Sequence, residues 1–335
     1  MINWKLKLNS IPLKWLLEDS NPSVKYYTLI DVLDKPIDDS EVIQVKRKIM
    51  KNEIINKILS KQNPEGYWFK PEDFYIRTKY KGTVWNFIIL AELGADGNDK
   101  RIQKTCEFIL KNSQDSKSGG FAYLSSKKGG GDHNKILPCL TANMIWCLIR
   151  FGYLDDLRIQ NGINWITKYQ RFDDGESNPP NEWPYNKYEK CWGKHTCTMC
   201  VVKTLKALSQ IPDTKRTLDV KNTIQNAKEF LLKHHLYKRS HNLYKIAKSD
   251  WIKLGFPLMW QTDVLEMLLV LTNLGIKDKR MQEGLDLIIS KQDENGKWNL
   301  EKTFNGRTIV SIERKGQPSK WITLNSLRVL KRFYS

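Results

Sequence analysis

KQNPEGYW at residues 61–68 and KQDENGKW at residues 291–298 share the pattern Gln-x-x-x-Gly-x-Trp, and the reading of these two octapeptides decides the fold. Each follows an apolar run that ends in lysine, and each couples a turn-forming glycine to a large aromatic. Between them lie looser versions. SQDSKSGGF ends at Phe121, and YQRFDDGESNPPNEW, from Tyr169, is the same turn with an insertion. A turn that recurs at a fixed interval marks a repeat architecture, so the flanking segments are read as copies of one unit.

The segments before these turns agree. DKRIQ from Asp99, DLRIQ from Asp156 and DKRMQ from Asp278 each open a helical pattern, and a degenerate copy, VKNTIQNAKEFLLKHH, starts at Val220. After each turn a second helix is written by apolar residues at i, i+4 and i+7. Val84, Ile88 and Ala91, or Leu140, Met144 and Cys147, or Val201, Leu205 and Leu208, or Val264, Leu268 and Leu271 each fill one face. No comparable period-two alternation occurs, so the chain is expected to be all-α. The units are helix pairs of roughly 55–65 residues. About five pairs occupy residues 51–335, and an N-terminal pair in residues 1–50 starts at Asn21-Pro22, an N-cap followed by a favoured first helical residue. Such pairs stack into an open solenoid or close into a ring.

The 335 residues, 40% hydrophobic with 12 Trp, support a large core. No apolar stretch is long enough to span a bilayer and Met1 to Leu17 does not read as an export signal, so a cytoplasmic protein with six reduced cysteines is expected. The formal charge of +18 points to an anionic partner: a phosphorylated small molecule, an acidic membrane surface or a nucleic acid. No nucleic-acid motif is recognised.

From about Lys51 onward the helix pairs and their Gln-x-x-x-Gly-x-Trp turns resemble the prenyltransferase and squalene-cyclase repeat family. The resemblance implies an α/α toroid of five to six helix pairs, with an inner ring around a central cavity whose mouth is formed by the inner-helix starts. Here those starts read KYKGTVW, LPCLTAN, GKHTCTM, WQTDVLE and PSKWITL, with Thr83, Thr141, Thr196, Thr262 and Thr323 in approximate register.

Three groups near these starts are candidates for chemistry. His195-Thr196-Cys197 is similar to the tripeptide that carries the zinc-binding histidine of protein farnesyltransferase β subunits, though Leu137 stands where that family has an aspartate. With Cys139 and Cys191 it makes a four-ligand set suited to tetrahedral Zn²⁺; small buried cysteines of a core helix are the alternative. His195 and Cys197 are also candidate catalytic groups.

HHLYKRSH, residues 234–241, can carry positive charge at five of eight positions. The resemblance implies that His235, Tyr237, Lys238, Arg239 and His241 hold a diphosphate; a solvated basic loop is the alternative. Lys81 and the nearby Arg77, Lys79, Lys194 and Lys320 would extend an anion funnel. Asp263, with Glu266 one turn later, occupies the place of the class II cyclase acid, without that family's full Asp-x-Asp-Asp. Trp85, Trp146, Trp192, Trp260, Tyr80 and Trp321 form either an aromatic cavity wall or ordinary helix core.

The leading expectation is a terpenoid-cyclase- or prenyltransferase-like enzyme that performs prenyl transfer or a related ionisation of an allylic diphosphate, with His195 and the nearby cysteines either holding zinc or acting directly. The alternative is a non-catalytic toroid that binds an anionic peptide, glycan or other ligand. Family transferases work with an α subunit, which this chain does not contain.

Overall fold

The computed structural model describes residues 4–75 and 79–335. Arg77 lies outside them. Among the described residues twelve helices of seven or more residues dominate: α1 Pro22–Asp31, α2 Ser40–Ile49, α3 Glu53–Leu59, α4 Thr83–Glu92, α5 Lys100–Asn112, α6 Pro138–Arg150, α7 Leu157–Tyr169, α8 Thr198–Leu208, α9 Leu218–Lys233, α10 Val264–Asn273, α11 Gln282–Ile289 and α12 Lys320–Tyr334. A short antiparallel hairpin, β1 Lys238–Arg239 with β2 Asn242–Ile246, follows α9. The fold is mostly α, as the periodicity predicts. Among the described residues no helix is long and apolar enough to cross a membrane.

Local chemistry places the helix ends. Asn21 caps α1 by accepting the Val24 N–H at 3.1 Å, with Pro22 at the first helical position. Asp99 and Asp156 cap α5 and α7 by accepting the N–H groups of Arg101 and Arg158, and both arginines turn back onto the same carboxylates. The recurring Asp-x-Arg is therefore a helix-start device, in which a side-chain acceptor satisfies an otherwise orphaned amide.

In three of the turns the motif joins one repeat to the next. Gln62 donates its amide to the Arg101 carbonyl at 2.9 Å, Gln114 to Arg158 at 2.6 Å, and Gln292 to Ser10 at 3.2 Å. The turn glycine presses onto the same place. A Cβ on Gly66 would lie 2.4 Å from the Lys104 carbonyl, and one on Gly296 would lie 2.1 Å from the Ser10 carbonyl, with φ of +93° and +77°. Only glycine meets both demands. The turn aromatic fastens the two helices of its own pair: the Trp68, Phe121 and Trp298 amides donate to the hydroxyls of Thr83, Thr141 and Thr323 at 2.9–3.1 Å. The indole N–H of Trp68 reaches Ile58 at the end of α3, and that of Trp298 reaches Ile288 on α11. Trp192 does the same in the third repeat, bonding the Tyr169 carbonyl at 3.2 Å, and so belongs with the turn tryptophans instead of the inner aromatic set.

Helices α1, α4, α6, α8, α10 and α12 all contribute to the wall of one cavity of about 350 Å³. Their neighbours in the wall pack together, α4 on α6, α6 on α8, α8 on α10, α10 on α12 and α12 on α1. The remaining side, α1 against α4, is closed where Tyr27 meets Gly94, whose Cβ position is 2.7 Å from the tyrosine oxygen. The N-terminal pair thus supplies one of six wall helices.

Candidate functional site

Many wall residues come from the second halves of these helices: Glu92 of α4, Arg150 of α6, Lys206 of α8, Asn273 of α10 and Arg328 of α12, whereas Glu266 lies in the first turn of α10. The inner-helix starts supply only part of this wall. The register threonines at three of those starts are consumed by the turn staples, whereas the helix ends carry charge into the cavity. Asp263 and Trp321 reach the wall from the starts of α10 and α12, and Phe256 from the segment before α10.

The centre of the site is an ion-pair network. Lys203 and Lys206 lie one turn apart on α8, so both reach α10. Lys203 Nζ bonds both oxygens of Glu266 at 2.7 Å with its side chain fully buried. Lys206 Nζ bonds Glu266 at 3.1 Å and Glu92 at 2.5 Å, and stands 4.1 Å from the Trp146 ring centroid. Burial pushes the Glu266 carboxyl up, but the two ammonium groups outweigh it and hold it below the usual range. Burial pulls the Lys203 ammonium down against the opposing pull of Glu266. A half-broken buried pair costs about 3–5 kcal/mol, so this network also fixes the α8 to α10 spacing.

Asp263 opens α10, within the field of Glu266 and Lys203. It is fully buried and caps α10, Oδ1 accepting the Glu266 N–H and Oδ2 the Gly255 N–H, both at 2.8 Å. Burial, assisted by the Glu266 charge and opposed by those two amides, pushes its carboxyl up to about 7. A carboxyl tuned to neutral pH in a cavity wall is suited to general acid–base chemistry.

A second charged layer lies around Tyr27. Arg150 hydrogen-bonds the tyrosine oxygen and the Ala91 carbonyl, the latter at 3.1 Å; Arg328 pairs with Asp31 and stacks over the Tyr27 ring at 4.7 Å. Arg332 reaches Asp31 at 3.4 Å. Two wall residues keep buried donors that bond nothing among the described residues, the Trp321 indole N–H and the Arg328 Nε–H. Such donors are costly without an acceptor. The cavity shares Tyr27, Ile30, Arg150 and Gln210 with an adjoining groove of about 960 Å³, whose lining includes Ile37, Ile43, Ile49 and Met50.

Of the residues singled out in the sequence, Asp263, Glu266, Trp146 and Trp321 meet at this cavity. Lys81, Trp85 and Trp260 do not line it. Trp85 bonds the Tyr75 carbonyl at 2.9 Å and stacks on that ring, and Tyr80 joins it to Phe304. Trp260 lies under Lys79, and the Lys81 carbonyl accepts the Asn86 side-chain amide at 2.6 Å.

HHLYKRSH forms the end of α9 and the hairpin beyond it. His235 and Lys238 pair with Glu283, Tyr237 is buried, and Arg239 and His241 are exposed; none lines the cavity. His195 and HHLYKRSH do come together, because Asp174 lies 3.5 Å from His195 Nδ1 and 3.3 Å from His234 Nε2.

The residues present do not fit the zinc set of the resemblance. His195 is 65% exposed and faces Asp174, and no group of three or more His, Cys, Asp or Glu among the described residues is placed to hold a metal ion. Cys139, Cys191 and Cys197 instead meet the thiol of Cys200. Sequence reasoning missed Glu92, Arg150, Lys203, Lys206 and Arg328. The signal available was a charge written into an apolar helix face, as Lys203 is in the run from Val201 to Leu208.

No described protein family matches the chain, and no curated protein does. Solved structures with a similar arrangement include a sugar epimerase from a ruminal bacterium, 14% identical, covering 75% of this chain and 72% of its own, with a TM-score of 0.47. The type II terpene cyclase MstE from Scytonema, in complex with geranylgeranyl dihydroxybenzoate, is 13% identical and covers 93% of this chain and 87% of its own, with a TM-score of 0.41. A protein from Actinoplanes is 11% identical, covers 86% and 99%, and has a TM-score of 0.32. At these scores the likeness carries neither a family nor an activity to this chain.

Proposed function

We propose that this chain is an enzyme that performs acid-initiated chemistry on an isoprenoid-type substrate in the central cavity, with Asp263 as the proton donor. The observation that carries the proposal is a buried carboxyl in the cavity wall with its pKa pushed up to about 7. At neutral pH a substantial fraction holds a proton, and the donor shares the cavity wall with Phe256 and Trp321, whose rings stack 4.4 Å apart. Ring faces stabilise a developing carbocation. The adjoining isoleucine-lined groove suits a linear apolar chain, and Arg150, shared by groove and cavity, with Arg328 of the cavity wall suits an anionic or oxygen-rich head group.

This reading places the head group on the arginine layer and leaves HHLYKRSH outside the site. It assigns Lys203, Lys206 and Glu266 to holding the wall helices and the field around Asp263. The test is incubation of the purified protein with prenyl diphosphates and with neutral polyprenyl compounds, followed by product analysis. Cyclised or rearranged product, lost in Asp263→Asn, supports the proposal. Absence of product together with absence of binding overturns it.

A second reading rests on the two amide bonds to Asp263, which are those of a helix cap. If Asp263 only caps α10, the cavity is a binding site, and Asp263→Asn retains full ligand affinity with no turnover in either protein.

A further inference from the structure

Outside the cavity, the segment Cys197-Thr198-Met199-Cys200 opens α8 and is absorbed by none of the chemistry above. Cys197 is the N-cap residue and is partly exposed; Cys200, one turn inside the helix, is buried. The Cys200 amide donates to the Cys197 carbonyl at 2.9 Å, and the two thiols are in hydrogen-bonding contact. The Cys197 amide faces the Cys191 carbonyl at 3.4 Å, and the thiols of Cys191 and Cys139 also reach Cys200. All six cysteines are free.

A cysteine pair separated by two residues at the start of a helix of eleven residues has a defined division of labour. The outer sulfur sits at the positive end of the helix, where a thiolate is stabilised, on a residue that is partly exposed. The inner sulfur is shielded and within reach of the first. We propose that Cys197 and Cys200 form a reversible dithiol–disulfide couple that exchanges with low-molecular-weight disulfides of the glutathione disulfide class.

In the first step the Cys197 thiolate attacks one sulfur of the reagent. Its S–S bond breaks, a mixed disulfide forms on Cys197, and one thiolate leaves and takes up the proton that Cys197 lost. In the second, the Cys200 thiolate attacks the Cys197 sulfur, the mixed disulfide breaks, and the second reagent thiolate leaves and takes up the Cys200 proton. Two protein thiols are oxidised to one disulfide and one reagent disulfide is reduced to two thiols. Because Lys206 follows on the same helix, the couple sits on an element that carries a cation into the cavity wall.

The experiment equilibrates the wild-type protein in glutathione redox buffers, quenches with acid, alkylates the remaining thiols and maps the peptides. The expected result is one intramolecular disulfide joining Cys197 to Cys200, fully reversed by reductant. Cys200→Ser is expected to stop at a persistent glutathione adduct on Cys197, and Cys139→Ser to leave the couple intact. The proposal is overturned if Cys197 stays alkylatable in the most oxidising buffer, or if the wild-type disulfide joins Cys200 to Cys139 or Cys191. It is equally overturned if stoichiometric zinc protects the four thiols until a chelator removes it.

Discussion

At the starts of the wall helices, Thr83, Thr141 and Thr323 do one job three times: each hydroxyl accepts the amide of a turn aromatic, and each is buried. At the opposite ends, Glu92, Arg150, Lys206 and Arg328 differ in charge and in partner from repeat to repeat. What recurs is fastening, since every pair must bury the same faces against its neighbours. What does not recur is the site. In a ring of copies, a cavity acquires chemistry where a copy departs from the pattern.

The largest expected effect breaks the charged end. Lys203→Ala leaves Glu266 with one cation in a buried setting and is expected to cost about 3–5 kcal/mol in denaturant unfolding. Lys203→Met with Glu266→Leu is expected to recover much of that loss. Were the single variant near neutral, the network would not hold the wall. At the fastened end, Thr323→Val removes the acceptor of the Trp298 amide and is expected to cost about 1–3 kcal/mol, with cavity ligand affinity unchanged.

The pH response sharpens the contrast. The folded Asp263 value of about 7 lies above the ordinary carboxyl range, so the stability it contributes is fully present below about 4. It is lost as pH rises through about 7. The difference in stability between wild type and Asp263→Asn therefore changes across that window, in the direction of a wild type that weakens toward alkaline pH. Turnover is expected to fall on the same limb, measured as a kcat profile. A smaller effect is expected at the rim of the repeats. Arg158→Ala cuts bonds to Glu107 and Asp156, all substantially solvated, and should shift stability by about 0–1 kcal/mol. The smallest is Arg239→Ala on the exposed hairpin, expected to leave cavity ligand affinity unaltered. A clear loss there would return HHLYKRSH to the site.

The helix pairs, their caps and their turns were legible because each rests on local chemistry: Asp99 before Arg101, Pro22 after Asn21, glycine before tryptophan. Asp263 was legible too, as an acid at a helix start. The rest of the site was not, because Glu92, Lys206 and Glu266 lie on three helices and become partners only when the ring closes. HHLYKRSH misled for the complementary reason. Its composition suits an anion, but Glu283, distant in sequence, already answers two of its cations.

The clasp between the last turn and the N-terminal segment bears on how the molecule is born. Gln292 accepts the Asn9 amide at 2.8 Å across a separation of 283 residues, and Lys320 reaches Glu18 at 2.7 Å across 302. On the ribosome, each helix pair has its partner within reach soon after it emerges, but the segment around Ser10 must wait for the turn at Gln292. The cavity, which needs α1 beside both α4 and α12, is therefore assembled only after α12 has emerged, and a chain halted before that helix carries the fasteners without the site.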